Sequence, residues 1–269
     1  MSARPGILCA ALLVAAAAAG ACGARRLELP GGEGRPFPGF EAAFDEGTAA
    51  CRAIHTITAE IGVSGRVGRQ RLRGRVLAGL SRPASLRLEG VAPFGPPAFI
   101  LVSTGDEATL LLPRDRAVLQ DEEPAAIIEA LVGVPLSPAS LQSILAGCGV
   151  TPSAPVAGRA FADGWLRIDL AGGAAAFLRQ DHAGRWAVRA AVADSLRVEY
   201  AESSDRTPRR VVLELEGDGA QPPVQLRLQV AQVDINVALG SEAFAVNMPP
   251  DAIPITLDEL RQAGPLGQR

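Results

Sequence analysis

From Thr56 onward, apolar and polar residues alternate with a period of two. Ile57, Ala59, Ile61 and Val63 fall on one side, and Thr56, Thr58, Glu60 and Gly62 on the other. That pattern specifies a half-buried antiparallel strand. Gly65 to Gly68 predict a turn. The next strand places Leu72, Val76, Ala78 and Leu80 inward and Arg71, Arg73 and Arg75 on a solvated convex face. The pattern continues through Leu86 to Glu89, Phe99 to Val102, Ala108 to Leu112 and Arg116 to Leu119. It resumes from Trp165 to Leu170, Ala174 to Leu178, Trp186 to Ala191, Leu196 to Ala201, Arg210 to Glu216 and Val224 to Val230, with Phe244 to Val246 last. The chain is thus mainly antiparallel β, with about eleven strands.

Helices punctuate this run. Phe40 to Arg52 reads as an entry helix through Ala42, Ala43, Phe44, Ala49 and Ala50, although Gly47 weakens it. Between the two strand groups, Pro124 opens a segment with an Ile127, Ile128 and Leu131 stripe and Gly133 beyond its end. Ser137 then caps a second, with Pro138 at its first position, Leu141, Ile144 and Leu145 on one face and Gly147 as terminator. Each cover must bury its stripe, and the sheet is the large apolar surface on offer. Thr256 and Glu259 have capping-box spacing for a short tail helix.

The N-terminus fixes a compartment. Arg4 supplies a positive start, Ile7 to Ala19 a short apolar run, and small residues lead to Cys22, the layout of an export signal. Residues 1–21 are read as a lipoprotein signal peptide and Cys22 as the lipidated residue, with a cut elsewhere between Ala15 and Ala24 as the alternative. Gly23 to Gly39, rich in glycine and proline, is read as a flexible tether (22–39) reaching on the order of 50 Å when extended. Residues 40–269 then form one domain. With Cys9 lost and Cys22 acylated, Cys51 and Cys148 remain. They form either a disulfide suited to an oxidising compartment or two buried thiols. Closing a loop of about a hundred residues is worth roughly 4–5 kcal/mol in the chain-entropy picture. The net charge of −3 and the lack of a basic block argue against nucleic acid as the main partner. All 26 basic residues are arginine.

Chemistry is hard to place. The two histidines are His55, beside a strand start, and His182, in the Asp181-His182-Ala183-Gly184 turn. Neither has the neighbours of a zinc site. No nucleophile elbow, phosphate loop or Cys-x-x-Cys is present, so no catalytic residue, metal or cofactor is assigned. An apolar-faced sheet under amphipathic covers, on a tether, instead suggests a lipid-binding cup. Leu86, Leu88, Leu101, Leu110 and Leu112 on strands would meet acyl chains from below. Ile127, Ile128, Leu131, Leu141, Ile144 and Leu145 on the covers would meet them from above. The competing outcome is an interior filled entirely by side chains.

The stretch from Leu72 to Gly147 resembles the LolA/LolB-like lipoprotein-localisation family. The resemblance is carried by Ala92-Pro93-Phe94-Gly95 after a strand, by Leu110-Leu111-Leu112 with Arg116-Ala117-Val118, by Ile127 through Leu136, and by Leu141 through Gly147. It implies an unclosed half-barrel lidded by two or three helices and a non-enzymatic protein that carries or receives lipoprotein acyl chains. It also implies a periplasmic carrier protein as a further partner. The Pro93-Phe94-Gly95 turn looks like the projecting apolar turn of the outer-membrane receptor branch, which gives Phe94 the transfer role. Gly23 after the lipidated cysteine implies outer-membrane sorting. The alternative is a structural or assembly lipoprotein whose closed half-barrel only docks proteins; a hydrolase would need a nucleophile beside one of the two histidines.

Overall fold

The computed structural model describes residues 26–150, 153–203, 207–219 and 221–264. Its strands are β1 (Arg35–Pro36), β2 (Thr56–Val67), β3 (Gln70–Ser81), β4 (Ser85–Gly90), β5 (Ile100–Thr104), β6 (Glu107–Leu112), β7 (Ala117–Glu122), β8 (Pro155–Ala160), β9 (Leu166–Leu170), β10 (Ala175–Gln180), β11 (Trp186–Ala193), β12 (Leu196–Ser203), β13 (Pro208–Leu215), β14 (Val224–Ile235) and β15 (Ile253–Pro254). The helices are α1 (Phe40–Arg52), α2 (Pro124–Val132), α3 (Pro138–Ala146) and α4 (Leu257–Ala263). All strands join one fifteen-stranded sheet in the order β1-β8-β9-β10-β11-β12-β13-β14-β2-β3-β4-β5-β6-β7-β15. It is antiparallel except where β15 runs parallel to β7. The ends β1 and β15 do not pair, so the sheet curls without closing.

Its inner face is the core, and the period-two pattern reads directly onto it: Ile57, Ala59, Ile61 and Val63 are buried in β2 while their neighbours face outward. α1 packs on β11 and β8, α3 on β13 and β3, and α2 on β6 and α4. Gly47, which weakens α1 locally, is there for close approach. A Cβ at that position would stand 2.7 Å from the Leu178 side chain of β10. The caps form as the sequence indicates. Ser137 accepts from the Ser140 amide, Gly133 and Gly147 end their helices in the left-handed conformation, and Thr256 and Glu259 close a reciprocal capping box.

Four features differ from the sequence reading. β2 runs unbroken to Val67 and the chain turns at Gly68 and Arg69. Gly65 is needed inside the strand because a Cβ there would lie 2.0 Å from the Gln225 carbonyl oxygen of β14. Phe244 to Val246 is not a strand; Ser241–Phe244 is a 3-10 turn that buries Phe244 and whose neighbouring carbonyls, Ala243 and Ala245, accept from Arg87. β8 and the two-residue edges β1 and β15 are additional, their pairing set by tertiary contact rather than by local alternation.

The fourth difference is the tether. Its described part, Arg26 to Gly39, is docked on the sheet instead of hanging free, and its Phe37 packs against the main core. Leu27 and Leu29 pack with Trp165, Phe177 and Ala190 in a second small cluster. The Leu27 amide donates to Glu199 at 3.1 Å, and the Arg197 guanidinium donates to the Leu27 carbonyl. Arg26 pairs with Glu214 at 2.9 Å, and Arg35–Pro36 pairs with β8. Composition marks this segment as linker-like, but Leu27 and Leu29 bury enough apolar surface against the sheet to dock it. Cys22 and the segment read as a signal peptide lie outside the described residues.

Candidate functional site: an apolar cavity under the lid

A cavity of about 880 Å³ lies between the inner face of the sheet and the covers. β2, β3, β13 and β14 supply Ile61, Val63, Leu72, Val76, Leu213, Leu226 and Leu228 as its floor. Leu88, Phe99, Leu112 and Ala117 line one side, with Ile128, Leu131, Leu136, Leu141 and Ile255 above. The cavity follows from strand lengths. β3 pairs with β2 along its whole length, but β4 pairs only with Val76–Ser81. Gln70 to Arg75 therefore have a partner strand on one side alone, and the chain leaves β4 through Val91, whose amide donates to the Arg75 carbonyl at 2.8 Å. The mouth opens in that gap.

Polar residues are confined to this rim: Arg73, Arg75, Arg114, Asp115 and Glu259 border it. Arg75 pairs with Glu60 at 3.3 Å. The Glu259 carboxyl is held below its ordinary value chiefly by the Thr256 backbone N–H, with help from the Thr256 hydroxyl. Beside the rim is the Pro93-Phe94-Gly95 turn. Pro93 lines the mouth, and the Phe94 ring is 88% exposed. Gly95 adopts φ +78°, a left-handed conformation that glycine takes without strain, and nothing lies within 4 Å of where its Cβ would stand.

Of the residues assigned to acyl contact, Leu88, Leu112, Ile128, Leu131 and Leu141 line the cavity. Leu86, Leu101, Leu110, Ile127, Ile144 and Leu145 do not; they are fully buried in the packed core. The division runs along each element. Leu141 in the first turn of α3 overhangs the cavity, whereas Ile144 and Leu145 occupy the end where the lid is fastened. That fastening is a Cys51–Cys148 disulfide with Cα atoms 5.6 Å apart, joining the last turn of α1 to the residue after the α3 terminator. Beside it, the Gly149 amide donates to the Tyr200 hydroxyl at 3.0 Å, and burial pushes the Tyr200 phenol up. The covers are thus anchored at one end and bridge a void at the other. Sequence reasoning missed Ile61, Val63, Leu213, Leu226 and Leu228: alternation marks them as inward, but not as lying where no helix descends.

The histidines are remote in role. The His55 backbone bonds to Asn236, Arg82 and Gln142, and His182 is exposed in the β10–β11 hairpin turn. Among the described residues no group of three or more His, Cys, Asp or Glu side chains is placed to hold a metal.

No protein-family model and no curated protein matches the chain. Solved structures do. A LolA superfamily protein from Nitrosomonas europaea superposes with TM-score 0.51 at 7% identity, covering 76% of this chain and 96% of its own. A DUF1329 family protein from Desulfovibrio piger gives 0.49 at 12%, covering 76% and 96%. An outer membrane lipoprotein-sorting protein domain from Vibrio parahaemolyticus gives 0.48 at 9%, covering 76% and 94%. The first of these, with the unclosed sheet and its helical covers, establishes the architecture: the chain has a LolA-type fold.

Proposed function

We propose that this chain is a non-enzymatic envelope lipoprotein, anchored to the outer membrane through Cys22, that holds acyl chains beneath its lid and passes lipid or lipoprotein into that membrane. The observation that carries the reading is the apolar cavity of about 880 Å³, a size within the usual range of ligand pockets. A 16-carbon chain buried there gains on the order of 10 kcal/mol before entropic losses. Exposed Phe94 beside the mouth is suited to enter the acyl boundary of a bilayer, with Pro93 and Gly95 shaping its turn. A periplasmic carrier protein is the donor in this scheme. The alternative, a closed half-barrel used only for protein docking, would leave no room for lipid, and the open cavity favours the first reading.

The test is transfer. Mature protein should accept a fluorescent fatty acyl lipid and release it to vesicles, and Cys22→Ser should turn a membrane-bound chain into a soluble periplasmic one. A protein that neither takes up acyl lipid nor changes fraction on losing Cys22 would contradict the proposal.

A further inference from the structure

The outer face of the sheet opposite the cavity is strongly basic, and its register shows how. Across β3, β2, β14 and β13 one row reads Arg71, Arg66, Gln225, Glu214, and the next reads Arg73, Ser64, Arg227, Val212. Arg66, Arg71, Arg73 and Arg227 are exposed, and among the described residues none of them has an acidic partner. The two carboxylates nearby are already engaged, Glu60 with Arg75 and Glu214 with Arg26. Arg66 and Arg71 stand directly opposite one another, a like-charge cross-strand pair that works against folding. Such an arrangement is stabilised when an anionic surface is brought to it.

The chain itself indicates which surface. Arg26 is pinned to Glu214, at the end of the first row. Cys22 lies four positions before it in the chain, a reach of at most about 14 Å, and three strand spacings, about 14 Å, separate Glu214 from Arg71. A lipid on Cys22 therefore enters the membrane close to the arginine rows. β3 also forms the free edge of the cavity mouth, so the basic face and the mouth meet along one strand.

We infer that the outer face of β2, β3 and β14, through Arg66, Arg71, Arg73 and Arg227, docks on the anionic phospholipid headgroups of the membrane that holds the Cys22 lipid, and so sets the mouth against the bilayer. This rests on the anchored lipid-carrier reading above. Docking of this kind is electrostatic and falls as salt rises.

The experiment uses the mature chain carrying Cys22→Ser, so that no lipid anchor contributes, and measures cosedimentation with vesicles of phosphatidylcholine alone or with about a third phosphatidylglycerol. Binding should require phosphatidylglycerol and weaken with salt. Replacing Arg66, Arg71 and Arg73 with Gln should reduce it about a hundredfold, since each basic residue at such a surface contributes about fivefold. Arg73→Gln alone should cost about fivefold. An equal charge change elsewhere, at Arg52, Arg159 and Arg185, should leave binding intact. The melting temperature of the triple variant should not fall, because a repulsive pair is removed. Equal binding to both vesicle types, or equal loss from both triple variants, would overturn the inference. Uptake of fluorescent acyl lipid in solution separates the two proposals. Its absence together with phosphatidylglycerol-dependent docking would count against the carrier reading alone.

Discussion

The Arg114 guanidinium donates to the backbone carbonyl of Phe94 at 2.6 Å and to that of Pro96 at 3.4 Å, pinning the turn at its backbone and leaving the aromatic ring free. Because Phe94 is 88% exposed, Phe94→Ala should change folding free energy by less than about 0.5 kcal/mol. Acyl transfer to vesicles should nevertheless slow. Urea unfolding and a transfer assay on one purified variant check both halves; a loss near the 3–5 kcal/mol of a buried phenylalanine would make the ring part of the core.

The disulfide fastens the lid at one end only. It closes a separation of 97 residues, so Cys148→Ser should destabilise the protein by about 2–5 kcal/mol. Denaturant unfolding with and without reductant should reproduce that difference in the wild type and abolish it in the variant. Reactive thiols in the natively exported protein would contradict the bridge.

Cavity and core make opposite predictions for the same substitution. Leu226 lines the void, so Leu226→Phe should fill it at small cost in stability and displace bound acyl lipid. Leu110 is fully buried outside the cavity, so Leu110→Phe should cost about 1–3 kcal/mol by overpacking and leave acyl binding intact in the folded fraction. Thermal melts paired with acyl titrations distinguish the two.

The capping box of α4 is pH-dependent. The Thr256 amide donates to the Glu259 carboxylate at 2.7 Å, which lowers its pKa from the ordinary 4.5. A depressed carboxylate contributes stability above its unfolded value, and that contribution disappears as pH falls through the lowered folded value. Hydrogen exchange in Leu257–Ala263 should therefore be slow at neutral pH and accelerate below 4.5. Glu259→Gln should flatten that response.

Legibility in the sequence followed the range of the forces involved. The alternation in β2, the stops at Gly133 and Gly147, the Ser137 and Thr256 caps and the cysteine pair are local or combinatorial signals, and all correspond to features of the fold. Gly65 misled because its reason lies on β14, at Gln225, far along the chain. Leu27 and Leu29 are surrounded by linker composition, and their docking depends on Trp165 and Phe177. The division between Leu141 in the cavity and Ile144 and Leu145 in the core has no sequence signal at all, since it is set by where β4 ends beside β3.

The most direct measurement of the central claim is the native mass of the mature chain carrying Cys22→Ser, purified from the periplasm without detergent. The account predicts an added mass equal to one long-chain lipid, lost on delipidation, restored by added acyl lipid and absent from Leu226→Phe. A folded protein that shows only its polypeptide mass and stays unliganded when acyl lipid is supplied would contradict it.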